Sequence, residues 1–415
     1  MNKRNSSFFQ NTVSLYAMNF AKVFFPIITL PYLTRVLSAE TYGMVTYVKA
    51  IIVYVQLILD YGFLLSATKK VVLSKENNHK IGQIIGDTIA EKGLLAILAI
   101  VGCTILTLNI PILKNNITFL ILYVISVLIT IFIVDFAFRG LEKMHFVAIP
   151  YIAAKFVTTI GTFIYVKNDA DILLIPVLEI FGNLLAAIVA LAFLWKLKIN
   201  ISFSNMRKWL LDLKESTVYF MSNFATTVFG ALTTVIAGMV LDLESVAYWG
   251  LCMQFLSAAK ALYSPIANSL YPQMIVNKNM DFIKKINKLM MIPMIAGTVI
   301  VLFGANNVMM LVGGEQYYEA GYILRALLPA FICSFYSMIY GWPVLGTMGK
   351  EKETTLTTIV ASGFQILGLL IMMWLNKFTI LGLAICCSMT EMILLFSRLY
   401  FYKKVKKTND TLHYV

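Results

Sequence analysis

Residues 117–134 read ITFLILYVISVLITIFIV, an uncharged and largely hydrophobic run that is long enough to cross a lipid bilayer as an α-helix. About 20 such residues span the roughly 30 Å hydrocarbon core, where a helix satisfies its own backbone hydrogen bonds. Comparable stretches recur along the chain, at residues 9–33, 43–65, 86–109, 117–138, 146–166, 172–195, 216–240, 246–270, 287–311, 321–345, 355–375 and 379–402. With 59% hydrophobic and 13% charged residues, the composition excludes a soluble globular protein. It predicts an all-α integral membrane protein with about twelve transmembrane helices.

Basic residues are concentrated in alternate gaps between these stretches, and Lys and Arg mark the cytoplasmic side of membrane proteins. Of the 34 basic residues, 24 lie in the terminal segments and in every second loop. The opposite loops carry few cations and several acids, among them Glu40, Asp169 and Glu315. This alternation predicts that both termini are cytoplasmic. It also explains most of the net charge of +13 without a nucleic-acid partner.

The longest polar interruption, residues 196–215, divides the predicted helices six and six. The halves are weakly similar, since TVSLYAMNFAKVF from Thr12 matches TVYFMSNFATTVF from Thr217. An even number of spans separates these copies, so both halves enter the membrane in the same direction. Such repeats typically form two lobes that face one another across a central cavity. We therefore predict a first lobe at 1–200, a cytoplasmic linker at 201–215, a second lobe at 216–402 and a basic cytoplasmic tail at 403–415.

Several charged residues are predicted to lie deep in the membrane, where a cation costs on the order of 3 kcal/mol by insertion scales. The deep cations are Lys22, Lys49, Lys155, Lys260 and Arg325, and the deep acids are Asp60, Glu179 and Glu391. Five cations against three acids leave an excess of positive charge. This excess favours a water-filled cavity that receives an anion. Structural ion pairs, together with snorkelling of Lys49 and Arg325 to the interface, are the alternative.

The three deep acids have two possible roles, as proton carriers that couple transport to an ion gradient or as partners of the deep lysines. Asp87, Glu91 and Lys92 are expected near the inner membrane surface, where contact with water makes a charge inexpensive.

Signals of enzymatic activity are poor. Asp169 and Asp171 form a DxD sequence, as in metal-dependent glycosyltransferases, but they lie in a short loop on the predicted outer side. Nucleotide-binding glycine loops, HExxH and nucleophile-elbow motifs are absent from the sequence. The five cysteines lie within apolar spans and the three histidines lie far apart. We therefore predict a protein that is not an enzyme and that carries no cofactor and no metal.

Three patches resemble a known family: LPYLTRVLSAETYGMVTY at 30–47, FRGLEKMHFVAIPYIAAKF at 138–156 and FTILGLAICCSMTEMILL at 378–395. With these patches the chain resembles the Wzx-type (RfbX-like) flippases of O-antigen and polysaccharide repeat units, within the multidrug/oligosaccharidyl-lipid/polysaccharide exporter superfamily. Ser38 stands where that family usually has glycine, and Arg139 where it usually has glutamine.

The resemblance implies a transporter of the bacterial inner membrane that moves an undecaprenyl-pyrophosphate-linked oligosaccharide, an O-antigen or capsule repeat unit, to the outer leaflet by alternating access. The pyrophosphate would be the anion that the lysines bind. Membrane lipids, a polymerase and a chain-length regulator would be its partners in polysaccharide biosynthesis. A multidrug exporter of the same superfamily and an integral-membrane enzyme of polysaccharide assembly are the alternatives.

Overall fold

The computed structural model describes residues 3–277 and 280–412, and every regular element within them is helical. The all-α prediction is therefore confirmed. Ten helical segments in these residues are long and apolar enough to cross a membrane: Val13–Val36, Ala39–Leu73, Asn78–Asn109, Ile117–Gly140, His145–Tyr165, Asp169–Lys196, Met280–Gly313, Leu328–Met348, Glu351–Trp374 and Ile380–Lys406. Residues 278–279 of a basic segment and 413–415 of the predicted tail lie outside the described residues.

The chain divides into two units, Met1–Val235 and Ile236–Val415. The helices of the first unit are α1 (Lys3–Val36), α2 (Ala39–Asp60), α3 (Phe63–Leu73), α4 (Asn78–Asn109), α5 (Pro111–Asn115), α6 (Ile117–Ile129), α7 (Asp135–Gly140), α8 (His145–Tyr165), α9 (Leu174–Lys196) and α10 (Met206–Thr227). A π-helical turn at Val228–Leu232 follows α10, and α11 (Thr233–Val240) lies at the division between the units.

Packing in the first unit brings α1, α8 and α9 together, since α1 packs on α8 and α8 packs along α9. The hydroxyl of Tyr32 donates to the carbonyl oxygen of Val166 at 2.7 Å and fixes the C-terminal end of α1 there. α9 also contacts α6, while α2 packs on α4 and α6. Large buried aromatics such as Tyr47, Phe119 and Tyr123 fill the spaces between these helices.

The second unit contains α12 (Leu243–Asn277), α13 (Met280–Gly313), α14 (Gly321–Ala326), α15 (Leu328–Ile339), α16 (Glu351–Trp374) and α17 (Ile380–Leu412). α17 packs on α14, α15 and α16, and α12 packs on α15. After α15 the chain forms a π-helical turn at Tyr340–Leu345, where Gly341 has a non-helical ψ of −117°. This break lies beside the buried side chain of Arg398 from α17.

Two of the twelve predicted spans are helical in the structure but do not belong to the ten candidate membrane segments. They are 216–240, which α10 and α11 cover, and 246–270, which lies within α12. α10 begins at Met206, inside the predicted linker 201–215, and α17 continues through the predicted tail as far as Leu412.

Candidate functional site

A cavity in the first unit lies among α1, α2, α8 and α9 and has a volume of about 500 Å³, including its open mouth. It is lined by Phe25, Pro26, Thr29, Leu33, Lys49, Lys155, Thr158, Thr159, Thr162, Ile175 and Glu179. An adjoining space shares Lys155, Thr158 and Glu179 and is also lined by Tyr151 and Asn183. Two predicted substrate-binding residues, Lys49 and Lys155, and one predicted coupling acid, Glu179, thus line the same cavity.

Helical periodicity explains why these side chains face the same space. Lys155, Thr158, Thr159 and Thr162 follow one another at steps of three, one and three residues, which places them on one face of α8. The hydroxyl of Thr158 donates to the carbonyl oxygen of Lys155, and that of Thr162 to Thr158. Their hydroxyl oxygens can therefore accept further hydrogen bonds inside the cavity. The result is a polar wall on an otherwise apolar helix.

Aromatic rings position two of the lysines. The Lys49 Nζ lies 5.8 Å from the centroid of the Tyr123 ring, and the Lys22 Nζ lies 5.7 Å from that of Tyr151. Both distances fall within the range of cation–π attraction. Tyr151 lines the space next to the cavity, so Lys22 lies at its edge.

The cavity holds more positive than negative charge. Glu179 is close enough to Lys49 for their charges to attract, and Lys49 also experiences the charge of Lys155. Within the part of the chain that the structure describes, Lys22, Lys49 and Lys155 form no ion pair with an acidic side chain at 4 Å or closer. Two lysines against one carboxylate in the cavity, with the exposed Lys22 at its edge, would attract an anion.

The remaining predicted cations lie in the second unit and have partners there. The Lys260 Nζ lies 2.6 Å from Oε1 of Glu391, whose side chain is only 4% exposed. The Nε of Arg325 donates to the carbonyl oxygen of Leu302 at 3.0 Å. Lys260 and Glu391, predicted as a substrate ligand and a coupling acid, are therefore joined in one ion pair.

Comparison with known proteins identifies the family. The sequence profile of a family described as "Polysaccharide biosynthesis protein" matches residues 8–278. The chain belongs to this polysaccharide biosynthesis family. A curated relative, "Putative O-antigen transporter" of Escherichia coli (strain K12), is 26% identical over 96% of this chain and 98% of its own length. The family resemblance found in the sequence is thus confirmed.

Solved structures share the fold of this family member. The chain aligns with "Lipid II flippase MurJ, inward closed conformation" at a TM-score of 0.73 and 14% identity, over 95% of this chain and 87% of that one. It also aligns with an inward-facing multidrug resistance MATE family transporter of the MOP superfamily at a TM-score of 0.63 and 13% identity, over 94% and 99%. At such identities the likeness shows a shared fold and no more.

Asp60, the third predicted coupling acid, has its polar partners within the first unit. Its Oδ1 accepts from Nε2 of Gln56 at 3.1 Å and lies 3.6 Å from Nζ of Lys92. The side chain of Lys92 is only 6% exposed.

The expectation that Asp87, Glu91 and Lys92 lie in contact with water is wrong, since all three are buried. The segment before α10 and the start of α10 cover this part of α4. Asp87 accepts four hydrogen bonds from them, two at 2.7 Å from the backbone N and Oγ of Ser204, and two at 2.9 Å from Nζ of Lys208 and Nε1 of Trp209. The sequence signal that could have revealed this contact is the pair Gly82 and Gly86, small residues one helical turn apart beside Asp87.

The DxD sequence belongs to a structural turn. Oδ1 of Asp169 accepts from the backbone N of Ser38 at 2.8 Å, and Oδ2 of Asp171 accepts from the backbone N of Lys167 at 2.9 Å. Both carboxylates therefore stabilise the loop before α9, as expected for an acidic turn.

Proposed function

We propose that the chain is a flippase for a lipid-linked polysaccharide repeat unit, an O-antigen or capsule unit carried on undecaprenyl pyrophosphate in the bacterial inner membrane. The observation that carries the proposal is the cavity of the first unit, which Lys49 and Lys155 line together with a single glutamate and which has Lys22 at its edge. The curated relative named as an O-antigen transporter supports the same substrate class. An excess of cations argues against the alternative, a multidrug exporter for cationic compounds.

In this mechanism the diphosphate enters the cavity and is bound by Lys22, Lys49 and Lys155, because lysine ammonium groups act as point-charge partners of phosphate. The hydroxyl groups on α8 contact the phosphate or the first sugar, while the polyprenyl chain stays in lipid. We also propose Lys260 and Arg325 of the second unit as substrate ligands, which the substrate would reach by competing for their present partners. No bond is made or broken, so the protein acts as a transporter and not as an enzyme.

Alternating access requires two lobes in parallel orientation, and we propose the twelve-span arrangement with lobes at 1–200 and 216–402, a linker at 201–215 and a tail at 403–415. Both termini would be cytoplasmic. A polymerase and a chain-length regulator would take the product on the outer side. Asp60, Glu179 and Glu391 remain the proposed candidates for ion coupling.

The test replaces the cavity lysines. We expect Lys49→Ala and Lys155→Ala each to weaken binding of an undecaprenyl-pyrophosphate oligosaccharide to the purified protein roughly tenfold to a hundredfold, since each removes a charge-assisted contact of about 1.5–3 kcal/mol. Lys49→Arg and Lys155→Arg should retain part of the binding because they retain the charge. Complementation of a flippase-deficient strain should follow the same order.

Lys114→Ala is the matched control, because Lys114 is exposed on the short helix α5 and does not line the cavity or the adjoining space. Wild-type binding and complementation by both alanine variants, at equal amounts of protein in the membrane, would refute the cationic site.

A further inference from the structure

The segment between α9 and α10 lies directly on α4. The backbone N of Ser202 donates to the carbonyl oxygen of Gly82 at 3.2 Å. A Cβ atom at Gly82 would lie 1.9 Å from the carbonyl oxygen of Asn200, and one at Gly86 would lie 2.1 Å from that of Ser202. Backbone therefore packs on backbone, which only glycine permits at these two positions. We call residues 199–215 the docked segment.

Polar contacts hold the docked segment from two sides. Asp87 of α4 accepts the four hydrogen bonds from Ser204, Lys208 and Trp209 described above. On the other side, the Nζ of Lys70 on α3 lies 2.8 Å from Oδ1 of Asp212 on α10. Each of the two lysines thus has an aspartate as its direct partner, with Lys208 on Asp87 at 2.9 Å. The Nζ of Lys70 also lies 3.4 Å from Oε2 of Glu215 on α10, whose side chain is largely exposed, so the carboxylates already outnumber the two cations.

Glu91 lies one helical turn beyond Asp87, on the same face of α4. It is 2% exposed, and its Oε1 is buried without a hydrogen-bond partner among the described residues. Four charged groups act on it from the surrounding elements: Asp87 on its own helix, Lys70 on α3, and Lys208 and Asp212 on α10. From α2 the nearby acid is Asp60, which is engaged with Lys92.

An ionised Glu91 would add a further negative charge beside two cations that already have carboxylate partners. A buried carboxylate without a donor is costly, and neighbouring carboxylates increase that cost. A protonated carboxyl group removes both penalties. We propose that Glu91 is a proton-binding site that controls docking of the segment 199–215: it takes up one proton from solvent when the segment docks on α4 and loses it when the segment is released.

The direction of the pH effect follows from proton linkage. The docked state binds a proton that the released state, with a solvated Glu91, does not bind near neutral pH. Docking is therefore favoured at low pH and is lost as the pH rises, by up to tenfold per pH unit in the docking equilibrium. This inference holds whatever substrate the protein carries.

The test is hydrogen–deuterium exchange of the backbone in residues 199–215, measured on the full-length protein in lipid nanodiscs between about pH 6 and about pH 9 and corrected for the intrinsic exchange rate. In the wild type we expect protection at the acidic end and a loss of protection of at least tenfold at the alkaline end. In Glu91→Gln, where a neutral side chain replaces the protonated carboxyl group, we expect protection at every pH.

Glu76→Gln is the matched control, since Glu76 is an exposed acid just before α4, and it should keep the wild-type pH profile. Asp87→Asn removes the acceptor of the four hydrogen bonds and should release the segment at every pH. Exchange in the wild type that does not depend on pH would overturn the proposal without any variant. Release of the segment by Glu91→Gln at all pH values would also overturn it, because it would show that the carboxylate form holds the segment.

Discussion

At the scale of single residues, the deep lysines fall into two kinds. Lys22 and Lys49 lie over aromatic rings, which attract a cation without neutralising it. Lys260 instead forms a close ion pair with the buried carboxylate of Glu391. The charges of Lys22 and Lys49 therefore stay available to an incoming anion. The charge of Lys260 is already neutralised by Glu391 in this structure.

This difference predicts what happens when Lys260 is replaced. Lys260→Met leaves Glu391 buried and unpaired, so we expect the protein to lose about 3–5 kcal/mol of stability. The double variant Lys260→Met with Glu391→Leu should recover most of that loss, because both charges are gone. Thermal unfolding of the purified proteins measures both effects.

Lys284→Ala provides the comparison, since Lys284 and Asp281 form an ion pair in which both side chains are more than 70% exposed, and it should leave the unfolding temperature unchanged. A single variant as stable as the wild type would show that the pair does not stabilise the fold. Loss of transport in a stable double variant would show that the pair of Lys260 and Glu391 acts in transport, as a substrate ligand or as a coupling acid.

At the scale of elements, the break after α15 depends on a side chain from another helix. Arg398 of α17 donates from Nη1 to the carbonyl oxygen of Ser337 at 2.5 Å and from Nη2 to the hydroxyl of Thr358 at 3.1 Å. The guanidinium therefore satisfies a carbonyl near the point where the helix loses its regular hydrogen bonds. Gly341 makes room for it, as a Cβ atom there would lie 2.8 Å from Nη1.

We therefore expect Gly341→Ala to displace the guanidinium and to destabilise the protein by about 1–3 kcal/mol. Gly363→Ala is the matched control, because Gly363 lies inside α16 and a Cβ atom added there would have no neighbouring atom within 4 Å among the described residues. That substitution should be neutral or stabilising by about 0.5–1 kcal/mol. Chemical unfolding measures the free energy of unfolding of both variants. If Gly341→Ala and Gly363→Ala change it equally, Arg398 does not stabilise the break after α15.

Contacts between elements that are distant in sequence are the part of the structure that the sequence did not predict. Hydrophobic runs located ten of the twelve predicted spans, and the cost of buried charge singled out Lys49, Lys155 and Glu179, which share one cavity. The same reasoning treated Asp87 and Glu91 as water-exposed residues at a helix end. Their covering segment is distant in sequence, since Asp87 and Lys208 are 121 residues apart. Likewise, 131 residues separate Lys260 from Glu391. The pair Gly82 and Gly86 can indicate that a backbone approaches α4 closely, but the pattern of neighbours along the chain does not identify which distant segment makes the contact.

At the scale of the whole molecule, ten apolar helices in the described residues establish a multi-pass membrane protein. The distribution of Lys and Arg gives the only indication of its orientation. The proposed twelve spans rest on the apolar runs, and the distribution of Lys and Arg predicts the side on which the docked segment lies.

Reporter fusions test the orientation. Fusions that end after Lys80 and after Lys208 should give a cytoplasmic signal, and one that ends after Asp242 should give an external signal. The reason is that six spans precede Lys208 in the twelve-span arrangement and a seventh lies between Lys208 and Asp242. An external signal at Lys208 would contradict the parallel arrangement of the two lobes.

The length of α17 has a practical consequence. A helix of 33 residues measures about 50 Å at a rise of 1.5 Å per residue, whereas the hydrocarbon core is only about 30 Å thick. Some 20 Å of continuous helix therefore extends past the apolar layer as a stiff lever. A small change in tilt of the last spanning helix would move a fluorophore attached near its end by a distance that energy transfer can record. The transport cycle could then be followed in single molecules without labelling the substrate.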